Sequence, residues 1–476
     1  MQRSAARLGV VAAAAAVVAL VATVAALANA ITGPSSSQSP YLVRSQPGVV
    51  TKAILTAGDA VAGYRMVGIP DGLGAFDNGD GTFTVLMNHE LGATAGVARA
   101  HGAAGAFVSR WTIRTDDLGV VEGRDQIQQL NLVTGTPALG RLCSADLPAS
   151  GAFFNPATGA GYDGRLFMDG EENGNEGRGF AHALDGTSWE LPRLGKFNWE
   201  NSVANPRTGD ATVTVGLDDS TPGQVYVYAG RKTTSGTPVE RAGLANGSLY
   251  GIKVQGVVDE DRLAGIPAGT SFTLAPLGNV AGLTGVQLQA ASEAADVTEF
   301  LRPEDGSWDP TDPTVFYFVT TDRFNTDATP GRSRLWRLDF VDPGNPAQGG
   351  TITAVLDGTE GQQMLDNITV NDRGQVLALE DVGNNARLGK VWLYDPDSDS
   401  LTEVAHHDEQ RFLSGAPQFL TQDEESSGII PAPFLGDGWY LLDVQAHFSV
   451  GGEIVEGGQL LALHVPPGKF GKSNAG

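Results

Sequence analysis

The stretch LDNITVNDRGQVLALED, residues 365–381, contains two short apolar runs separated by the turn-like sequence 371–374. Alternating runs on either side of such a turn predict a β-hairpin. If the chain reverses at Gly374, Asp366-Asn367 lies beside Glu380-Asp381 at the open end of the hairpin. The prediction raises a question of energy, because acids gathered at one end of a sheet repel each other.

The same pattern occurs six times along the chain, each time with acidic, amide or histidine side chains at the hairpin end. The other five segments are residues 70–90, 151–172, 199–219, 302–322 and 427–447. A third apolar run follows each hairpin, and a fourth follows most of them. TKAILTAG at 51–58 is predicted to supply the missing fourth strand of the last unit. Six such units predict an all-β, six-bladed β-propeller with long inter-strand insertions, and a β-sandwich or a two-domain β protein is the alternative.

The N-terminus differs in composition from the rest of the chain. Arg3 and Arg7 precede a long uncharged stretch ending in Ala28-Asn29-Ala30, which fits a small-x-small cleavage site. The pattern predicts a signal peptide over 1–30, with an uncleaved membrane anchor as the alternative. We therefore expect a secreted or cell-surface protein. The domain boundaries that we expect are a flexible linker over 31–48, a single propeller domain over 49–468 and a disordered tail over 469–476.

The charge balance of the 476 residues restricts the class of partner. The chain has 55 acidic and 31 basic residues, a net charge of −24. Such a surface repels nucleic acid and anionic lipid, so we expect neither as a partner, apart from membrane contact by the leader. We also expect a monomer. Because Cys143 is the only cysteine, no intrachain disulfide can form, and we expect this residue to be buried as a small apolar side chain.

The propeller prediction explains why acids occur at the hairpin ends. The first strands of all blades line the central axis, so the ends of these hairpins meet at one mouth of the channel. Two carboxylates about 5 Å apart repel by roughly 3 kcal/mol at an effective dielectric near 20. Protonation or bound cations must relieve this repulsion, and clustered carboxylate oxygens suit Ca²⁺. The sequence therefore predicts an axial carboxylate–calcium site.

Several short segments resemble the PhoX-type bacterial alkaline phosphatases, and the resemblance extends over most of the chain. They are MNHE at 87–90, GEEN at 170–173, WEN with LDD at 199–219, RPED at 302–305, the 365–381 hairpin and DVQAH at 443–447. The resemblance implies a propeller whose axial acids hold calcium and iron and which hydrolyses phosphate monoesters. It also implies that Arg302 binds the phosphate of a small phosphorylated substrate. With the hairpin ends, it implies a set of metal ligands, namely Glu90, Glu171, Glu172, Glu200, Asp218, Asp219, Glu304, Asp366, Asn367, Glu380 and Asp381.

The chain departs from the family pattern at two places. Gly170 stands directly before the paired glutamates, where the family usually has an iron-ligating cysteine. Arg3 and Arg7 are separated, whereas the family leader commonly carries twin arginines. Both departures favour a site dominated by Ca²⁺ over one that also holds Fe³⁺. The predicted function is a secreted metal-dependent phosphatase. The alternatives are a non-catalytic, calcium-stabilised binding module and another calcium-propeller hydrolase such as a lactonase.

Overall fold

The computed structural model describes residues 30–133 and 135–468. The predicted signal peptide, apart from Ala30, and the predicted tail lie outside this part of the chain. The helices are short and comprise Pro238–Arg241, Gly285–Ala294 and Glu409–Phe412, with 3₁₀ turns at Ser150–Ala152, Pro192–Leu194, Pro346–Gln348 and Pro433–Leu435. None of the helices in the described residues is long and apolar enough to cross a membrane.

Most strands form six mainly antiparallel units, which we number along the chain and describe from the axis outwards. Unit 1 contains Pro70–Asp77, Thr82–His89, Phe107–Arg114 and Val120–Asp125. Unit 2 contains Leu166–Gly170, Gly179–Ala183, Thr187–Glu190 and Gln129–Asn131. Unit 3 contains Trp199–Ala204, Ala211–Asp218, Gly223–Arg231, Ser248–Val254 and Thr270–Gly278.

The remaining three units follow the same order. Unit 4 contains Pro303–Trp308, Val315–Thr320, Arg334–Phe340 and Gly350–Leu356. Unit 5 contains Leu365–Val370, Val376–Glu380, Lys390–Asp395, Ser400–His407 and Leu42–Arg44. Unit 6 contains Glu424–Pro431, Trp439–Gly451, Val455–His464, Val50–Thr56 and Ala30–Thr32. The short strands outside this scheme are Ala60–Val61 with Tyr64–Arg65, Phe154–Asn155 with Ala160–Gly161, and Glu299–Phe300 beside unit 3.

The innermost strands bring the units around a common axis. Units 2 to 6 contact one another in sequence through these strands, and unit 6 contacts unit 1. Units 1 and 2 meet where the backbone N–H of Gly72 donates to the carbonyl of Cys143 at 3.2 Å. Apolar residues alternate along the strands and pack between neighbouring units, as Tyr317 of unit 4 does with Ile368 of unit 5. The outer edges of units 3 and 4 also pair, which joins them into one continuous sheet.

Five of the six predicted hairpins are confirmed, and the hairpin over 151–172 is wrong as a single element. Phe154–Asn155 and Ala160–Gly161 form a small pair of their own. Residues 142–147 instead take the axial position in unit 2, where Leu142 bridges to Glu171 and Asp146 bridges to Met168. This segment forms only isolated bridges, and its sequence, LCSADL, lacks the regular alternation that predicts a strand.

The N-terminal segment differs from the predicted flexible linker over 31–48. Leu42–Arg44 pairs with Ser400–His407, and Tyr41 and Leu42 are buried. The closing strand predicted at 51–58 is confirmed, because Val50–Thr56 pairs with Val455–His464. The two ends of the described chain therefore share unit 6, and the ring closes between them.

Candidate metal centre

The same backbone hydrogen bond occurs in every unit at one end of the axis. A residue at the end of the second strand donates its N–H to the carbonyl of the residue before the axial segment, as Glu90 does to Ile69 and Asp381 to Met364, both at 2.9 Å. In unit 2 the axial segment is 142–147 and the donor is Glu172, and in unit 6 the donor His447 lies within Trp439–Gly451. We call the acceptor the entry residue and the donor the exit residue. The side chain two positions after each entry residue is called the axial residue.

These three positions define the centre in all six units. The entry residues, in unit order, are Ile69, Arg141, Asn198, Arg302, Met364 and Asp423. The axial residues are Asp71, Cys143, Glu200, Glu304, Asp366 and Glu425. The exit residues are Glu90, Glu172, Asp219, Thr321, Asp381 and His447. Five of six axial residues and four of six exit residues are acidic.

Irregular backbone turns these side chains towards the axis. In unit 5, Leu365 pairs with Glu380, but the next paired residue is Ile368 with Ala378, so the axial strand carries one extra residue at Asp366. Units 1, 3 and 4 show the same shift at their axial residues. Such β-bulges re-aim side chains and are frequent beside active sites. Four entry residues also have positive φ angles of 47–61°, namely Ile69, Arg141, Arg302 and Met364.

The axial residues form a continuous arc with two exit acids. Three groups have ligand atoms within 4.8 Å of one another, namely Asp71 with Glu90 and Cys143, Cys143 with Glu172 and Glu200, and Glu200 with Glu304 and Asp366. Because Cys143 and Glu200 each belong to two groups, the arc extends without a break from unit 1 to unit 5. All these residues are buried or nearly so.

Burial and mutual repulsion disfavour the charged forms of these acids. Burial, with the nearby Glu90 carboxylate, raises the pKa of both Asp71 and Glu172 to about 8. Burial and Asp366 raise the pKa of Glu200 well above its usual value, and burial and Asp219 do the same for Glu304. Burial and the carboxylate of Asp381 likewise raise the pKa values of Asp366 and Glu425.

Two arginines supply most of the positive charge near these acids. Arg302 donates to both oxygens of Asp219 at 2.8 and 3.0 Å and to Glu304 at 2.8 Å. Arg141 contacts Glu90 at 2.7 Å and also pairs with Glu172. Among the ion pairs of the described residues, only His447 with Glu425, at 3.9 Å, adds to these at the axial and exit acids. The acids therefore outnumber their cationic partners.

A closed series of hydrogen bonds links the six units around the axis. Asp71 Oδ2 accepts a hydrogen bond from Cys143 Sγ at 3.3 Å, and Ser144 Oγ donates to Glu200. The remaining links are Asn201 Nδ2 to Asp305 at 2.5 Å, Ile368 N to Asp305 at 3.0 Å, Gly428 N to Asn367 Oδ1 at 2.6 Å and Ser427 Oγ to Asp71 at 2.6 Å. Two of the axial acids, Asp71 and Glu200, are thus held by the same contacts that link the units.

The structure brings together most, but not all, of the predicted site residues. Those at or directly beside the axial arc are Glu90, Glu172, Glu200, Asp219, Arg302, Glu304, Asp366, Asn367 and Asp381. It does not bring Glu171, Asp218 and Glu380 into the arc. Each of these three residues is the first of a predicted acid pair. The second residue of each pair occupies the exit position, and the first contacts partners within its unit and away from the arc.

Local partners account for the positions of these three acids. Arg178 Nε lies 2.6 Å from Glu171, and Arg387 Nη2 lies 2.6 Å from Glu380. Trp392 Nε1 also donates to Glu380, at 2.9 Å. Asp218 accepts a hydrogen bond from the Ser220 hydroxyl at 2.8 Å. The carboxylates of Glu171, Asp218 and Glu380 therefore have hydrogen-bond partners within their own units and lie outside the axial arc, unlike the position that the sequence predicted for them.

Four residues of the centre were missed in the sequence, namely Asp71, Arg141, Cys143 and Glu425. Cys143 is buried, as expected, but it occupies the axial position of unit 2, where its Sγ contacts Asp71. Burial and Asp71 raise the pKa of its thiol well above the usual value. Asp71 lies within the predicted 70–90 hairpin, two positions after its entry residue Ile69. Glu425 precedes the bulge of unit 6, which lies farther along, between Ser427 and Ile430.

Comparison with known proteins gives a likeness of fold. No family model and no curated protein matches the chain. The solved structure of Pseudomonas fluorescens PhoX in complex with vanadate, a transition-state analogue, is similar with a TM-score of 0.62 and 12% identity, covering 92% of this chain and 97% of that chain. A protein of unknown function from Dyadobacter fermentans has a TM-score of 0.42 and 9% identity, covering 88% and 100%. A gluconolactonase from Xanthomonas campestris has a TM-score of 0.32 and 13% identity, covering 89% and 100%.

The likeness to PhoX extends over nearly the whole of both chains. At 12% identity it shows the arrangement of strands and nothing about the chemistry of the centre. The chain has a PhoX-like, mostly β fold.

Proposed function

We propose that this chain is a six-bladed β-propeller that hydrolyses phosphate esters at a metal centre on its axis. The observation that supports this proposal most is the arc of axial and exit acids, which has two guanidinium groups at its edge. We further propose that the protein is exported by its N-terminal leader, acts as a monomer and takes a small phosphorylated molecule as its substrate.

The donor set fits cations. Buried carboxylates with raised pKa values and too few basic partners are stable in the charged form only when positive charge is added. Gln445 Nε2 donates to Asp71 and Glu90, both at 3.0 Å, whereas its Oε1 is buried without a hydrogen-bond partner among the described residues. An unpaired amide oxygen beside carboxylates is a further ligand for a hard cation.

The kinds of donor suggest the kinds of cation. Asp71, Glu200, Glu304 and Asp366 would hold Ca²⁺, because this ion prefers several oxygen ligands. A softer transition-metal ion such as iron would bind at the Cys143 end of the arc, with Glu90 and Glu172. Cys143 would thereby replace the sulfur donor that Gly170 cannot provide. The bound cations would neutralise phosphoryl oxygens and lower the pKa of an attacking water.

The side chains of the protein itself would position the substrate. The planar guanidinium of Arg302 can donate two parallel hydrogen bonds to phosphoryl oxygens, whose charge must be stabilised in the transition state. It lies at the mouth with 27% of its side chain exposed, so a ligand can reach it. The buried acids below it limit the access of bulk water, which strengthens electrostatic contacts within the centre.

The test combines elemental analysis with an activity assay. The purified protein is expected to contain Ca²⁺, with or without iron, and to release phosphate from p-nitrophenyl phosphate. Glu304→Gln should lose metal and activity together, whereas Asp372→Asn, at the exposed turn of the 365–381 hairpin, should retain both.

Other outcomes would distinguish the alternatives. Bound metal without phosphate release from several esters contradicts a phosphatase and favours a non-catalytic, calcium-stabilised binding module. Cleavage of a lactone without cleavage of any phosphate ester favours a lactonase. A metal-free, folded protein that cannot be loaded with Ca²⁺ contradicts the metal centre itself.

A further inference from the structure

Arg141 and Arg302 occupy the same position in two units. Each is an entry residue, each has a positive φ angle, 47° and 61°, and each precedes its axial residue by two positions. Each also contacts the exit acid of the preceding unit, since Arg141 pairs with Glu90 as Arg302 pairs with Asp219. Arg141 therefore repeats, two units away, the contact that Arg302 makes with the exit acid of the preceding unit. Their second acids differ, because Arg302 also pairs with the axial residue Glu304 and Arg141 with the exit residue Glu172.

The entry residues differ in chemistry between the two sides of the axis. Those of units 2 to 4 carry N–H donors, and those of units 5, 6 and 1 are apolar or acidic. Arg141, Asn198 and Arg302 belong to the consecutive units 2, 3 and 4. Asn198 Nδ2 donates to Glu172 at 3.3 Å and to the carbonyl of Asp219 at 2.6 Å, so it lies between the two arginine pairs. The entry residues of the other units are Ile69, Met364 and Asp423. The side-chain N–H donors among the entry residues therefore all lie on the side formed by units 2 to 4.

The arginines and the cations would compete for the same carboxylates. Arg141 is held by Glu90 and Glu172, which also lie in the groups of potential metal ligands with Cys143. A cation that binds these carboxylates reduces their attraction for the guanidinium. Half of the Arg141 side chain is exposed, so it can turn towards the mouth without unfolding its surroundings.

We propose that Arg141 is a second anion-binding residue of this centre, which neutralises Glu90 and Glu172 before the cations bind and binds phosphoryl oxygens with Arg302 afterwards. This inference rests on the proposed function. It assigns to Arg141 a role in ligand binding that a purely structural ion pair would not have.

The first test uses the unaltered protein and a reagent that modifies arginine, phenylglyoxal, with the modified sites mapped by mass spectrometry. Loading with Ca²⁺ should increase the modification of Arg141, and inorganic phosphate should then protect both Arg141 and Arg302. Arg231 serves as the internal control, because its side chain is 76% exposed and lies on the third strand of unit 3. Its modification should not change with either addition.

The outcomes separate this inference from the proposed function. Protection of Arg302 without protection of Arg141 overturns the inference and leaves the phosphatase proposal standing. Protection of neither arginine, with no binding of phosphate by calorimetry, contradicts both. Protection of both arginines without hydrolysis of any ester supports the role of Arg141 in anion binding and contradicts the proposed catalysis.

The second test measures phosphate binding by calorimetry for Ca²⁺-loaded variants. Arg141→Ala should bind phosphate about ten- to hundredfold more weakly than the unaltered protein, because it loses one charge-assisted hydrogen bond. Arg141→Lys, which keeps the charge but not the planar fork, should restore part of this loss. Arg231→Ala should bind phosphate as the unaltered protein does. A structural role alone predicts lower thermal stability of Arg141→Ala in chelator and an unchanged affinity for phosphate, which would overturn the inference.

Discussion

The hydroxyl of Ser427 donates a hydrogen bond to Asp71 Oδ1 over 2.6 Å and thereby joins unit 6 to unit 1. The other oxygen of Asp71 contacts Cys143 of unit 2 at 3.3 Å and Gln445 of unit 6 at 3.0 Å. One carboxylate therefore takes part both in the contacts that close the ring and in the group of potential metal ligands. Metal binding and closure of the ring are expected to stabilise each other.

The first prediction concerns the repulsion between axial acids. In chelator, Asp366→Asn should be as stable as the unaltered protein or more stable, because it removes a carboxyl group whose charged form is disfavoured by burial and by Asp381. Ca²⁺ at a hundred times its dissociation constant stabilises a folded protein by about 2.7 kcal/mol, and the variant should gain much less. The measurement is thermal unfolding with chelator and with Ca²⁺.

Asp372→Asn is the matched control, because Asp372 lies at the turn of the same hairpin with an exposed side chain 3.3 Å from Arg373. This variant should show the full gain with Ca²⁺. An equal gain for Asp366→Asn and the unaltered protein would contradict a cation at the axis.

The second prediction concerns the sulfur of Cys143. Co²⁺ bound by a thiolate gives an intense near-ultraviolet absorption band. Cys143→Ser should abolish this band, although the variant should still bind Co²⁺ through oxygen ligands. Because burial and Asp71 raise the pKa of the thiol, binding should also release a proton at neutral pH. Absorption spectroscopy and calorimetry in buffers of different ionisation enthalpy measure the two effects. A band of equal intensity in Cys143→Ser would exclude Cys143 as a ligand.

The third prediction concerns the tight contact at Gly428. Its φ angle is +61°, and an added Cβ would lie 2.8 Å from the carbonyl oxygen of Asp71 and 3.1 Å from Asp443. Gly428→Ala should therefore lower the free energy of unfolding by roughly 2–5 kcal/mol. Gly174→Ala is the control, because Gly174 has a φ angle of +65° and no neighbour within 4 Å. Similar losses in chemical denaturation of the two variants would show that the backbone angle alone, and not the contact, decides the cost.

The fourth prediction concerns pH and the N-terminal strand. Ser45 Oγ lies 2.5 Å from Glu403 and 2.7 Å from His406 Nδ1, which attaches Leu42–Arg44 to unit 5. Although burial opposes it, hydrogen bonding to Glu403 raises the pKa of His406 above 6.5. Burial also opposes the shift of Glu403, whose hydrogen bonds to His406 and Lys390 lower its pKa from 4.5 to about 2.

The signs of these two shifts define a pH window. The contribution of His406 is complete below pH 6.5 and is lost as the pH rises through its raised pKa, whereas that of Glu403 is lost only as the pH falls from 4.5 towards 2. His406→Gln should therefore lower the melting temperature at pH 5.5 and have a much smaller effect at pH 8.5. An equal effect at both pH values would assign the role of His406 to packing alone.

The sequence predicts the strands of this fold more reliably than it predicts which acidic side chains face the axis. Residues 365–381 alternate with period two around a turn, and they form the predicted hairpin. The alternation does not reveal a bulge, and one extra residue changes the face of the sheet on which a side chain lies. The alternation also does not show which residue of an acid pair faces the axis, so the sequence indicated both Glu171 and Glu172, whereas only Glu172 occupies the exit position beside Arg141.

Cys143 shows a different limit of prediction from sequence. It lies in residues 142–147, which replace a regular strand and are joined to unit 2 only by isolated bridges. No period-two pattern marks this segment, so its axial position depends on contacts with residues far along the chain, such as Asp71 and Glu200. Once the repeated backbone bond of the other units is known, the carbonyl of Arg141 identifies Cys143 by its spacing of two.

The pairing of Val50–Thr56 with Val455–His464 sets an order of events during biosynthesis. The strand Val50–Thr56 cannot pair until Val455–His464 has been synthesised, so unit 6 cannot form on a partly synthesised chain. The acids of units 1 and 6 are apart until that moment, and their repulsion arises only when the circle is completed. If the proposed cations bind at the axis, their concentration during folding would therefore affect how fast, and how completely, the chain reaches its folded form.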